Sequence, residues 1–283
     1  MAGGHGRTLL HICAISNSTQ VMKFLIKFGL PLDVRDYEGD SPFSTAARCG
    51  NQDMALYLLE IGGGLDNDRP DQPKVLHSVA AWNLKELGRK FLRQSGGCDV
   101  NIAYKGGTTP LNLAICEKNL SAVEMLLDHN ADAARPDDNG IRPIHLASST
   151  GNVELFTNIA GKLSDKEFST GDNNDRTPLH FAAESGSAAL VDLLLNKYHV
   201  KPAATRDGLQ PIHFAARSGA IPVVEALTEV EGLVAENWRV SPLHIAAANG
   251  AVPVVEWLID HGTPVDLPVK SSGQTALMIA TSK

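Results

Sequence analysis

Apolar positions recur along the chain in short paired stripes. Leu179, Ala182 and Ala183 lie on one face at helical spacing, and after Gly186 a second stripe follows at Leu190, Val191, Leu193, Leu194 and Leu195. The spacing predicts two helices separated by a glycine able to end the first in a left-handed conformation. The small alanines on the first stripe let neighbouring helices approach closely. Similar second stripes run through Val123, Leu126 and Leu127, and through Val254, Val255, Leu258 and Ile259. Pro222 and Pro253 fall in the first turn of their helices, where proline is tolerated. Polar tips separate the pairs: Asp36-Tyr37-Glu38-Gly39-Asp40, Asp137-Asp138-Asn139-Gly140 and Arg206-Asp207-Gly208. Asp and Asn with Gly supply turn dihedrals. Isolated helices shorter than ~12–15 residues are marginal in water, so these must gain stability by stacking on their neighbours.

A sequence motif marks the start of each pair. Thr177-Pro178-Leu179-His180-Phe181-Ala182-Ala183 is the best-formed copy, followed by Gln210-Pro211-Ile212-His213-Phe214-Ala215-Ala216 and Ser241-Pro242-Leu243-His244-Ile245-Ala246-Ala247. Weaker copies begin at Arg142, Thr109 and Ser41, and degenerate ones at Thr8, Lys74 and Thr275. Counted at the proline or its substitute, the copies fall at 9, 42, 75, 110, 143, 178, 211, 242 and 276, in steps of 31 to 35. Thr177 is placed to cap the helix with its hydroxyl, Pro178 sits where a missing N–H costs nothing, and His180 falls within reach of Thr177.

At this period and with this core, the sequence resembles the ankyrin repeat family. The resemblance covers almost the whole chain and implies an all-α solenoid of stacked helix-turn-helix units with hairpin-like finger loops. Units start near 6, 39, 72, 107, 140, 174, 208, 239 and 273, the last incomplete. With no long Gly/Ser linker, residues 1–283 read as one continuous domain. Residues 62–73 read as an extended loop, and the polar stretch 159–173 as an irregular one.

Charge and chemistry narrow the function. The net charge is −7 and no Lys/Arg run occurs, so a nucleic-acid partner is not expected. Cys13, Cys49, Cys98 and Cys116 form no CxxC pair, which argues against a disulfide framework and fits a reducing, cytoplasmic or nuclear setting. No apolar stretch reaches membrane-span length. No HExxH, GxSxG or GxxxxGK[ST] motif occurs, and the recurring histidines His11, His77, His145, His180, His213 and His244 read as structural, each bonding within its own repeat. No enzyme activity, cofactor or metal is expected, and the chain is expected to be a monomer.

The resemblance implies recognition through a concave face of fingertips and first helices. Mapped onto this chain, it points to Tyr37, Trp82, Arg176, Arg206, Leu209, Arg217 and Trp238. Trp238 is either a binding hot spot or a packing contact with an adjacent finger, and Trp82 is either exposed or core. Trp257 reads as core. Arg176, Arg206 and Arg217 either form a basic patch suited to an acidic or phosphorylated segment, or are paired intramolecularly. The expected function is a protein-binding scaffold or adaptor. The alternative is the regulatory ankyrin region of a larger enzyme or channel.

Overall fold

A computed structural model describes residues 5–63, 72–94, 98–232 and 239–281. Among these residues the regular structure is helical throughout. Residues 1–132 form one compact body and residues 133–283 another.

In the first body the pairs are α1 (Leu9–Ile15) with α2 (Thr19–Lys27), α3 (Pro42–Arg48) with α4 (Gln52–Glu60), α5 (Gln72–Trp82) with α6 (Lys85–Gln94), and α7 (Pro110–Cys116) with α8 (Leu120–Asp128). The second body holds α9 (Pro143–Ser149) with α10 (Val153–Ala160), α11 (Pro178–Ser185) with α12 (Ala188–Asp192), α13 (Pro211–Ser218) with α14 (Ile221–Glu231), α15 (Pro242–Asn249) with α16 (Val252–Asp260), and finally α17 (Ala276–Thr281). Within each body the first helices of successive pairs pack in a row, as in α1 on α3 on α5 and α11 on α13 on α15. The second helices form a parallel row, α4 on α6 on α8 and α12 on α14 on α16.

The alanine stripe explains the close first-helix row: Ala46, Ala47, Ala182, Ala183, Ala215 and Ala216 are completely buried. Gly186 takes φ +74 and ends α11 in the left-handed conformation, as its position predicts. Gly88 serves a different purpose. A Cβ there would lie 2.7 Å from Val79 Cγ1 and 2.8 Å from Met125 Sδ, so only glycine lets α6 seat between its neighbours.

Three of the fingers are turns built on one carboxylate. Asp36 Oδ1 accepts hydrogen bonds from the Glu38 and Asp40 N–H groups at 2.9 and 3.0 Å. Asp137 Oδ1 does the same for Asn139 and Ile141, and Asp172 Oδ1 for Asn174 and Arg176. These bonds, with a charge-assisted contact to Arg176, hold Asp172 below the usual carboxylate range despite the opposing effect of burial.

The histidines do more than their spacing predicts. Nδ1 accepts from the N–H at the start of its own helix, at 3.0 Å from Arg142 to His145 and 3.0 Å from Thr177 to His180. Nε2 reaches the next finger: Asp40 O from His11, Thr108 O from His77, Thr170 O from His145, Val240 O from His213 and Leu267 O from His244, all at 2.8–2.9 Å. A carbonyl requires a donor and a backbone N–H requires an acceptor, so His11, His145, His213 and His244, which make both bonds, are held with the hydrogen on Nε2. The Thr177 hydroxyl takes the role its spacing predicts. It faces the His180 backbone N–H in a reciprocal capping box and also lies 3.0 Å from His180 Nδ1. Where no histidine stands, the hydroxyl caps as well: Ser41 accepts from Ser44 N–H and Thr109 from Asn112 N–H.

Two further expectations change. The stretch 159–173 contains a short 3-10 helix, Asp165–Ser169, not an irregular loop throughout. Its Phe168 is buried and stacks on Tyr198 at 4.1 Å, beside Phe156. Tyr198 reaches this position from a wide π turn, Leu193–Lys197, that continues α12. Trp257 is half-buried instead of core. Its ring stacks on His261 at 3.9 Å and its Nε1 donates to Glu225 at 3.1 Å.

Candidate functional site

In the first body, the candidate residues lie where a finger meets the ends of first helices. Tyr37 stands at a fingertip, 81% exposed. Its N–H donates to the His5 carbonyl at 3.0 Å, and its ring lies against Gly6, where a Cβ would come within 2.6 Å of it. Trp82, at the end of α5, is 58% exposed and so is not core. Its Nε1 donates to the Arg48 carbonyl at 3.0 Å, which satisfies an acceptor at the end of α3. The indole rests over Gly50. Both aromatic rings are thus held in place while remaining open to solvent.

Between them lies a network of charges. Arg48 bridges Glu38 at 3.0 Å and the buried Asp40 at 2.8 Å, and Arg7 approaches Asp36 at 3.5 Å. A shallow cavity of about 220 Å³ opens beside it, lined by Glu38, Arg48, His77, Ser78 and Tyr104. Tyr104 is half exposed, its ring 5.8 Å from that of His77. The sequence reading did not select Tyr104. A tyrosine beside Lys105-Gly106-Gly107 at a finger position is the signal that could have found it.

In the second body, the three candidate arginines are each paired. Arg176 Nε and Nη2 both lie 2.8 Å from Asp172 Oδ2, and its guanidinium stacks 4.7 Å from the centre of Phe181. Arg206 Nε is 3.3 Å from Asp175, and Arg217 Nη1 is 3.3 Å from Glu184, with its guanidinium 5.4 Å from Phe214. Each arginine has its own carboxylate, so these three do not make a patch of net positive charge. Leu209 is half-buried, and its backbone is engaged by Thr205 and by His180 Nε2 at 3.3 Å. Trp238 lies outside the described residues.

Among the described residues no group of three or more His, Cys, Asp or Glu side chains could hold a metal ion. No helix there is long and apolar enough to cross a membrane.

The sequence profile of the family "Ankyrin repeats (3 copies)" matches residues 2–71, 76–166, 145–237 and 229–283. The chain belongs to the ankyrin repeat family. Its repeats are therefore of the protein-interaction type. The ankyrin repeat domain of human ASB11 superposes with a TM-score of 0.61 at 21% identity, covering 72% of this chain and 90% of that one, which shows the shared fold. Among curated relatives, the nuclear factor NF-kappa-B p105 subunit of Gallus gallus is 28% identical over 162 residues, 56% of this chain and 16% of that protein. An L-asparaginase of Dirofilaria immitis is 26% identical over 151 residues, 53% of this chain and 25% of its own length. The chain thus matches only a minor part of the length of either relative.

Proposed function

We propose that this chain is a protein-binding scaffold or adaptor that engages its partner through the fingers and first-helix ends, with Tyr37, Trp82 and Tyr104 as the contact core. One observation carries the reading: the solvent-exposed Trp82 is fixed by the Arg48 carbonyl and the Gly50 surface. A rigid aromatic side chain loses little entropy on binding, and Trp and Tyr dominate interface energetics. The paired arginines of the second body would offer polar contacts on that body's own fingers and helix ends. An acidic or phosphorylated segment would have to displace Asp172, Asp175 or Glu184 to bind them, so this surface supports a mixed polar and aromatic partner better. A cytoplasmic or nuclear location is part of this proposal.

The test is a capture experiment from native lysate with the wild-type chain and with Tyr37→Ala/Trp82→Ala. Proteins retained by the wild type and lost by the variant are expected, with a melting temperature within a few degrees. Equal retention of the same proteins by both would overturn this surface.

A second reading, the ankyrin region of a larger enzyme or channel, draws on the small share of each relative that the chain matches. The mass of the endogenous protein, detected with an antibody to these repeats, tests it. A mass equal to that of this chain would end that reading.

A further inference from the structure

Three residues past each proline mark, the repeat carries an apolar side chain in seven copies, Phe181 and Phe214 among them, and a small polar one in two, Thr45 and Ser78. The phenylalanines show what fills this register. Phe181 lies 5.2 Å from the His145 ring and 4.7 Å from the Arg176 guanidinium, and Phe214 lies 5.2 Å from His180 and 5.4 Å from Arg217. Both are buried, so in the second body each ring occupies its place against an imidazole and a guanidinium. At Ser78 the side chain is too short to do so, and the cavity of about 220 Å³ in the first body opens beside it. A cavity of ~150 Å³ holds benzene, so this one has room for a single aromatic ring.

The lining selects the occupant. The imidazole of His77, the phenol of Tyr104 and the guanidinium of Arg48 border the cavity, and they are the kinds of group that meet Phe181 and Phe214. Arg48 holds Glu38 and Asp40 through Nη1 and Nη2 and stays partly exposed, which leaves the flat face of its guanidinium for a ring. A carboxylate entering here would compete with Glu38 and Asp40 for Arg48, and an ammonium would meet the Arg48 charge. An aromatic side chain displaces neither partner. We propose that the Ser78 cavity receives one phenylalanine or tyrosine side chain of the partner protein, set against Tyr104 and Arg48 as Phe214 is set against His180 and Arg217. The proposal rests on the finger-side reading and names the residue class that anchors it: Tyr37 and Trp82 frame the contact, and the incoming ring supplies its buried centre. Selectivity for this place follows from the irregularity of the repeat itself, because Phe181 and Phe214 fill the same register from within in the second body.

The test uses the full chain and an immobilised nonapeptide library, randomised except for one fixed central residue in each pool. The wild type is expected to bind the phenylalanine and tyrosine pools at least ~10-fold more tightly than the glutamate, lysine and serine pools. Ser78→Phe closes the cavity from within, as Phe181 and Phe214 do at this register, and should abolish that preference. Ser78→Leu, with the side chain that Leu113 and Leu146 place there, should abolish it too and decides the matter if the larger ring unfolds the chain. Circular dichroism checks that each variant is folded. The proposal is overturned if no pool is preferred, if the glutamate or lysine pool binds as tightly as the aromatic ones, or if a folded Ser78 variant keeps the preference. Tyr37→Ala/Trp82→Ala separates the two readings. Loss of binding in that variant, with Ser78→Phe and Ser78→Leu binding as the wild type does, sinks the cavity alone. Equal binding by all of them sinks the finger-side reading with it.

Discussion

His213 Nε2 lies 2.8 Å from the carbonyl oxygen of Val240, so an imidazole at the start of one helix pair holds the finger that leads into the next. The ring is buried, and its Nδ1 accepts from the Gln210 N–H at 3.0 Å. Removing it strands a donor and an acceptor in a buried site. His213→Ala is therefore expected to cost about 2–4 kcal/mol, read as a lower urea midpoint. A loss below about 1 kcal/mol would mean that water replaces both bonds.

The same arrangement makes stability depend on pH. Burial drives the pKa of His145 and of His180 down to about 4, with the bond to the finger carbonyl opposing it only in part. Both rings are then neutral in the folded chain, while in the unfolded chain they take up protons below ~6.5. A lowered folded pKa means that stability is fully present above ~6.5 and is lost as the pH falls toward about 4. Urea midpoints measured across that interval should decline steadily. His145→Gln should flatten the decline, and an unchanged slope would count against a neutral ring.

Glu231, the last residue of α14, acts in the opposite direction. Both carboxyl oxygens are shielded from solvent, with only the Ile212 backbone favouring their charged form. Burial raises its pKa to about 8, and the backbone of Ile212 offsets this only slightly. A raised carboxylate pKa withdraws stability as the pH climbs from ~4.5 through about 8. Glu231→Gln should thus stabilise the chain at pH 8, on the order of 2 kcal/mol, and have little effect at pH 4. Equal melting temperatures for the two proteins at pH 8 would contradict this.

Phe168 closes the second body from outside the helix rows. Phe168→Ala should open a cavity against Tyr198 and Phe156, costing about 3–5 kcal/mol in thermal or urea unfolding.

Gly50 has φ +75, and its Cα faces the Trp82 ring at a distance that would put a Cβ 3.2 Å from it. Gly50→Ala should displace the indole, shift its fluorescence, and cost about 1 kcal/mol from the left-handed backbone. Partner retention should fall as it does in Trp82→Ala.

Much of this was legible in the sequence. The proline-marked period gave the helix starts, Gly186 gave a helix end, and the Asp-Gly tips gave the fingers. What escaped was contact between residues far apart in the chain. His145 and Thr170 are separated by 25 residues and His180 and Leu209 by 29, and these unequal intervals conceal a common bond. Phe168 looked like part of a polar loop because its partner, Tyr198, comes from a π turn that no local pattern announces. Trp257 carried the apolar signature of a core residue, but Glu225, on the neighbouring helix, gives its N–H a partner at the surface. Arg176 and Arg206 were recognisable as finger residues, and Arg217 as the end of a first helix. The neutralisation of Arg206 and Arg217 depends on Asp175 and Glu184 arriving from an adjacent unit.

The aspartate at the base of these three fingers has a consequence for evolvability. Asp36, Asp137 and Asp172 each fix the turn through backbone N–H groups, so most of what shapes the turn is supplied from its base. Positions such as Tyr37, Asp138 and Asn174 can be randomised with little cost to the frame. A library built on those tips would be a stable source of new specificities, because what changes is the reading head and what holds it stays constant.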